Sequence, residues 1–186
     1  MSINWSAVNW GSVADWVSGL GSLSAAIVAL YLARWSQSIR LRGYCGLRVL
    51  VGGPGPREEL VFINVTNVGT RSTIVGNLGM RVGLFKKRFA IIPMVKDQYS
   101  VGIPYPIADG QQAHWSMPLD EKRTWLRDLC KDFVLTPMDV RTLRIQVHTT
   151  HGETFNIRPE LPLRKAMLEI ISQKMANPSI NTDAAR

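Results

Sequence analysis

The chain has 186 residues, 46% of them hydrophobic and 19% charged, with a formal net charge of +8. That composition excludes a chain disordered over most of its length, because there is ample apolar surface to bury. The positive balance would suit a nucleic-acid binder, but its distribution argues otherwise. Residues 1–33 hold one charged side chain, Asp15, and all 22 Lys and Arg follow it.

The first predicted element is a helix from residue 16 to 35 that crosses a membrane. The stretch Trp16–Ala33, WVSGLGSLSAAIVALYLA, contains no charge. Trp16 and Trp35 bracket it, and at about 1.5 Å per helical residue they stand about 28 Å apart, close to the roughly 30 Å of a bilayer's hydrocarbon core. A tryptophan at each end fits the headgroup belt. A cleaved signal peptide is disfavoured, because no Lys or Arg precedes the apolar stretch and no small-x-small cleavage site ends it. A surface-lying helix would need a charged face, which is missing. A buried core helix is the remaining alternative.

Orientation follows from the basic flank. Arg34, Arg40, Arg42 and Arg48 come after the uncharged stretch with no acidic residue among them. The positive-inside rule then puts the N-terminus outside and the C-terminal domain in the cytoplasm, as in a single-pass protein of a cell's inner membrane. Residues 1–15, with Trp5 and Trp10, form a short segment expected to lie in the interface. Gly21, Ala25, Ala29 and Ala33 recur every fourth residue on one helix face, beside a row of Ser18, Ser22 and Ala26. Small residues let helices approach closely in lipid, so this face is the candidate for self-association into a homo-oligomer. The same pattern also arises from composition alone.

Residues 36–43 read as a basic juxtamembrane linker, and 44–159 as a β domain. About 140 residues remain after the anchor, enough for an independent core. Leu47, Val49 and Val51 alternate with polar or neighbouring positions. A Gly-Pro-rich loop, VGGPGPREE, follows, and its glycines lack the order of a phosphate-binding loop. Val61, Ile63 and Val65 share a strand face, as do Leu78, Met80, Val82 and Leu84, and later Leu143, Ile145 and Val147. The sequence THGE between the last of these and TFNIR predicts a hairpin. Six or seven short strands with frequent turns make the fold class mainly β, a β-sandwich of immunoglobulin type. One or two peripheral helices accompany it. Trp125, Leu126, Leu129, Cys130 and Phe133 share a face within DEKRTWLRDLCKDF. Leu163, Met167, Ile170 and Ile171 do so in a C-terminal amphipathic helix over 160–176. A disordered tail, 177–186, closes the chain.

The lead WSAVNWGSVADWVSGLGSLSAAIVALYLARW resembles the start of a group of uncharacterised bacterial and phage-associated single-pass membrane proteins. The segments FINVTNVGTRSTIVGNLGMRVG and RIQVHTTHGETFNIRPE are similar to that group's immunoglobulin-like β-domain. The resemblance implies fold and topology and brings no catalytic residues with it.

No catalytic constellation is legible, and neither an enzymatic activity nor a cofactor or metal is expected. His148 and His151 sit three apart beside Glu153, with His114 elsewhere. Metal ligation would need more converging donors, so the pair reads as a solvated hairpin end. Cys45 and Cys130 have no metal or redox spacing and read as reduced thiols. Asn64-Val-Thr66 matches a glycosylation sequon that a cytoplasmic strand would not present to that machinery. Arg81, Lys86, Lys87 and Arg88, interleaved with Phe85 and Phe89, form a basic patch for anionic headgroups or phosphates, or a solvated turn. The functional expectation is a membrane-tethered binding module that associates with itself and an unidentified protein partner. The alternative is a membrane-disrupting effector of a phage-related or antiphage system.

Overall fold

The computed structural model describes residues 12–52, 58–94, 96 and 99–176. The interfacial segment up to Gly11, Gly53 and Gly55 of the Gly-Pro loop, and the tail after Ala176 lie outside the described residues. The chain divides into two compact units, Met1–Ser38 and Ile39–Arg186.

The first unit is a helix, α1, spanning Val13–Ser36. It begins three residues before Trp16 because Ser12 and Asp15 form a capping box. The Ser12 hydroxyl accepts the Asp15 backbone N–H at 3.3 Å, and the Asp15 carboxylate accepts the Ser12 N–H at 2.9 Å. That satisfies amide donors the first turn would otherwise leave free. Ser24 and Ser36 donate their hydroxyls to the carbonyls of Gly21 and Ala33, at 2.8 and 3.0 Å, so these polar groups are satisfied within the helix. None of the helix's residues is buried.

Among its described residues the second unit contains two antiparallel sheets and three helices. One sheet has the order β1 (Leu41–Val49), β2 (Glu59–Asn67), β6 (Gln112–Leu119). The other runs β4 (Arg88–Ile91), β3 (Thr73–Val82), β7 (Arg144–Thr149), β8 (Thr154–Ile157), with β5 (Tyr105–Ile107) also paired to β3. The period-two pattern decides which face is buried. Val61, Ile63 and Val65 of β2, Leu78, Met80 and Val82 of β3, and Ile145 and Val147 of β7 all enter a single core, with Trp115 of β6 fully buried among them. Counting α1, helical and strand residues are comparable in number, so strands dominate only in the second unit.

Three features depart from the sequence reading. First, β1 starts at Leu41 and pairs with β2 along its whole length, from Leu41 opposite Asn67 to Val49 opposite Glu59. Residues 36–43 are therefore not a linker throughout. Arg42 is exposed on the strand, which is compatible with pairing. Second, α2 (Thr124–Asp132) and α4 (Leu161–Ala176) are not peripheral. Leu126, Cys130, Leu163, Met167 and Ile171 belong to the same core as the strands. A further helix, α3 (Pro137–Thr142), starts with Thr136 accepting the Asp139 N–H at 3.2 Å. Third, the inward alternation stops short at two strand ends. Val51 is 83% exposed and Leu84 66% exposed. The chain leaves β3 at Gly83, whose φ of +92° sets a turn against the Lys86 carbonyl that a side chain would clash with.

Candidate functional site

The outer face of the β1–β2–β6 sheet carries an aromatic groove. With Val61, Ile63 and Val65 directed inward, Leu60, Phe62 and Asn64 must emerge on the other side. The same alternation exposes Tyr44 and Arg48 of β1 and His114 of β6. Because Tyr44 pairs with Asn64, and Asn64 with His114, Phe62 lies on the diagonal between the two rings. The Tyr44 and Phe62 rings stack at 6.2 Å and 30°, and Phe62 and His114 at 5.6 Å and 20°, within the range of offset aromatic pairs. Val49, Leu50, Leu60 and Tyr99 complete the lining.

Two contacts hold this groove in shape. The Arg48 guanidinium lies 5.1 Å from the Tyr44 ring centroid and donates to both Glu160 carboxylate oxygens, at 2.8 and 2.9 Å. The hydrogen bond from Arg48 draws the Glu160 carboxyl below its ordinary value, and Glu160 in turn raises Arg48, so the pair is ionised at neutral pH. Gly46 leaves the space this pair occupies, since a Cβ there would meet the Glu160 carboxylate. On the opposite side, the segment beyond Tyr99 is strapped to β6. The Ser116 N–H donates to the Ser100 hydroxyl at 2.9 Å, and the Val101 N–H to the His114 carbonyl at 3.1 Å. A flat aromatic face, a fixed guanidinium and an imidazole suit stacking and hydrogen bonding to a bound group.

The structure divides the expected basic patch. Arg88 donates to the Asp139 carboxylate at 2.9 Å and stands 5.8 Å from the Phe133 ring. Asp139 also accepts the Leu135 and Thr136 N–H groups, each at 3.1 Å. Arg88 therefore ties β4 to the start of α3. Arg81 emerges from β3 opposite Arg144. Lys86 and Lys87 remain exposed in the β3–β4 turn with Phe85, which is 96% exposed, and Phe89 is exposed on β4.

In α1, Gly21, Ala25, Ala29 and Ala33 lie on an uncovered face, and a Cβ at Gly21 would meet open space. Trp16 and Trp35 are both exposed, as is Arg34. Arg42 is exposed on β1, whereas Arg40 is half-buried and its carbonyl accepts the Val68 N–H at 2.8 Å.

The imidazoles do not converge. His148 shares a hydrogen bond with Thr154 at 3.0 Å, His151 one with Thr73 at 3.3 Å, and His114 belongs to the other sheet. Among the described residues no three His, Cys, Asp or Glu side chains group as metal ligands. Both thiols are free and buried. Burial pushes Cys45 up to about 12 and Cys130 up to about 11, so neither supplies a thiolate near neutral pH.

The groove residues were missed in the sequence because each is a lone outward position in its own strand, and only the register between strands stacks them. Set against protein-family models, curated proteins and solved structures, the chain matches none of them.

Proposed function

We propose that this protein is a single-pass membrane-tethered binding module whose two-sheet domain, read as an immunoglobulin-like sandwich, lies in the cytoplasm. The observation that carries the reading is α1. Its large apolar side chains Val17, Leu20, Leu23, Ile27, Val28 and Leu30 share one half of the helix and every one is exposed, while Gly, Ala and Ser dominate the other half and no charged residue falls between Trp16 and Ala33. A helix with an exposed apolar half and no charged face needs either a protein core or a bilayer around it, and α1 is long and apolar enough to cross a membrane. The basic flank orients the domain inward, where the Tyr44–Phe62–His114 groove would receive a partner. The test is fractionation of the full chain carrying a C-terminal reporter that fluoresces only in the cytoplasm. A fluorescent signal that stays with membranes after carbonate washing supports the reading. A soluble signal refutes the tether, and a dark membrane signal refutes the orientation.

The uncovered face of Gly21, Ala25, Ala29 and Ala33 supports a second reading, in which assembled helices permeabilise the membrane. Overexpression would then depolarise cells, and Gly21→Leu or Ala25→Leu would abolish the effect. Normal growth at high expression refutes it.

A further inference from the structure

Arg81 and Arg144 are direct partners across the β3–β7 ladder. Their strand neighbours Met80, Val82, Leu143 and Ile145 are buried, so both arginines leave the sheet on its outer face. Strand β8 extends the row, because Ile157 pairs with Ile145 and Arg158 is the next residue. Arg164 comes from the start of α4, whose first turn contains no acidic residue. Burial first, then the charges of Arg158, Arg81 and Arg164, hold the Arg144 guanidinium below its ordinary value, with no carboxylate offsetting them.

Like charges placed opposite one another weaken a sheet. Elsewhere in the domain the corresponding cost is avoided: Arg48, Arg88 and Arg123 are paired with Glu160, Asp139 and Glu59. None of the four clustered arginines makes an ion pair among the described residues. The Nε groups of Arg81 and Arg164 are buried without a hydrogen-bond partner. Arg144 directs one nitrogen at the carbonyls of Leu143 and Arg141, at 2.7 and 3.3 Å, which fixes its position without neutralising it. Three half-buried guanidinium groups, with the exposed one of Arg158 beside them, have donors to spare and match the oxygen-rich surface of phosphate better than that of any neutral ligand.

We propose that Arg81, Arg144, Arg158 and Arg164 form a binding site for a multiply charged phosphoanion, carried either on a soluble compound or on a lipid headgroup. The site is separate from the aromatic groove and does not depend on how that groove is used.

The experiment is calorimetric titration of the full chain, in nanodiscs of zwitterionic, net-neutral phosphatidylcholine, with inorganic pyrophosphate. Saturable binding is expected, weakened about tenfold or more by Arg144→Gln or Arg158→Gln, since a hydrogen bond to a charged group contributes on that order. Arg158 is exposed, so its replacement leaves the fold intact, which circular dichroism verifies. Lys86→Gln should leave the affinity unchanged. Without anion, Arg144→Gln should raise the melting temperature by relieving repulsion, and pyrophosphate should raise that of the unaltered chain more than that of the variant. Comparing inositol bisphosphate headgroup in solution with the same headgroup on a lipid in the nanodisc separates the two sources, and the tighter of the two identifies the natural carrier. Absence of pyrophosphate binding, equal loss in Lys86→Gln, or binding of a single-stranded oligonucleotide without pyrophosphate binding overturns the site.

Discussion

An arginine placed midway along α1 separates a bilayer-spanning helix from any other use of it. Ala25 stands nine residues after Trp16 and ten before Trp35, about 14–15 Å from each along the axis. That distance is beyond the reach of an arginine side chain, so a guanidinium at residue 25 cannot settle among headgroups. Insertion of a central arginine costs about 2.5–3.5 kcal/mol, which lowers the ratio of inserted to non-inserted chain roughly 60- to 300-fold. Ala33→Arg lies beside Arg34 and Trp35, and its charge can extend to the interface, so it should retain most of the insertion. The assay is carbonate extraction of membranes, with the two variants expressed at matched levels. A steep loss for Ala25→Arg and a small one for Ala33→Arg is expected. Equal membrane retention of both variants would refute the reasoning, because no residue of α1 is buried and only a surrounding bilayer would give the two positions different costs.

Three further outcomes follow from the second unit. Glu160→Gln removes the carboxylate of the Arg48 pair. Because the Glu160 carboxyl is drawn below its ordinary value in the fold, the pair's stabilisation is present above the unfolded carboxyl value of 4.5 and is lost as pH falls through the lowered folded value. Both side chains are more than a third exposed, at 41% and 35%, so the difference between variant and unaltered chain in denaturant titrations should be about 1 kcal/mol or less at pH 7. It should vanish in strong acid, and a difference that grows on acidification would contradict this. Leu78→Ala empties a fully buried position on a central strand and should destabilise the domain by about 2–5 kcal/mol, read as a lower urea midpoint with an unchanged slope. Cys45 and Cys130 should resist a thiol-reactive disulfide reagent at pH 8 in the folded chain and react after denaturation. Rapid labelling of the native protein would contradict their burial.

The parts of the fold legible in the sequence were those set by local periodicity. Val61, Ile63 and Val65, and likewise Leu143, Ile145 and Val147, announce their buried faces without reference to any other segment, because one side of each strand meets the core. The helix over Thr124–Asp132 was visible for the same reason. Helix α3 carried a usable signal that was overlooked: Thr136-Pro137-Met138-Asp139 combines an N-cap, a proline at the first helical position and an acid at the third. Its six residues are too few to show a hydrophobic stripe, which hid it. Partnerships between distant segments were not legible at all. Arg88 reads as one of four neighbouring basic residues until Asp139 is brought beside it. Arg81, Arg144 and Arg158 look unrelated until the register of β3, β7 and β8 aligns them. Tyr44, Phe62 and His114 become a groove by the same means.

The contact between the two ends of the β domain also governs when the domain can be completed. Cys45 and Pro159 form a parallel bridge, and the Glu160 N–H donates to the Cys45 carbonyl at 2.8 Å. During synthesis Cys45 leaves the ribosome on the order of ten seconds before Pro159 does. For most of that interval β1 can pair with β2 (Glu59–Asn67), but the apolar side that α4 will cover remains open. Loop closure over so long a separation is slow. The domain therefore closes only once α4, the element that completes its core, has been made. A chain ending before Leu161 would be released with that apolar surface exposed and would be a substrate for chaperones and proteases rather than a smaller working protein.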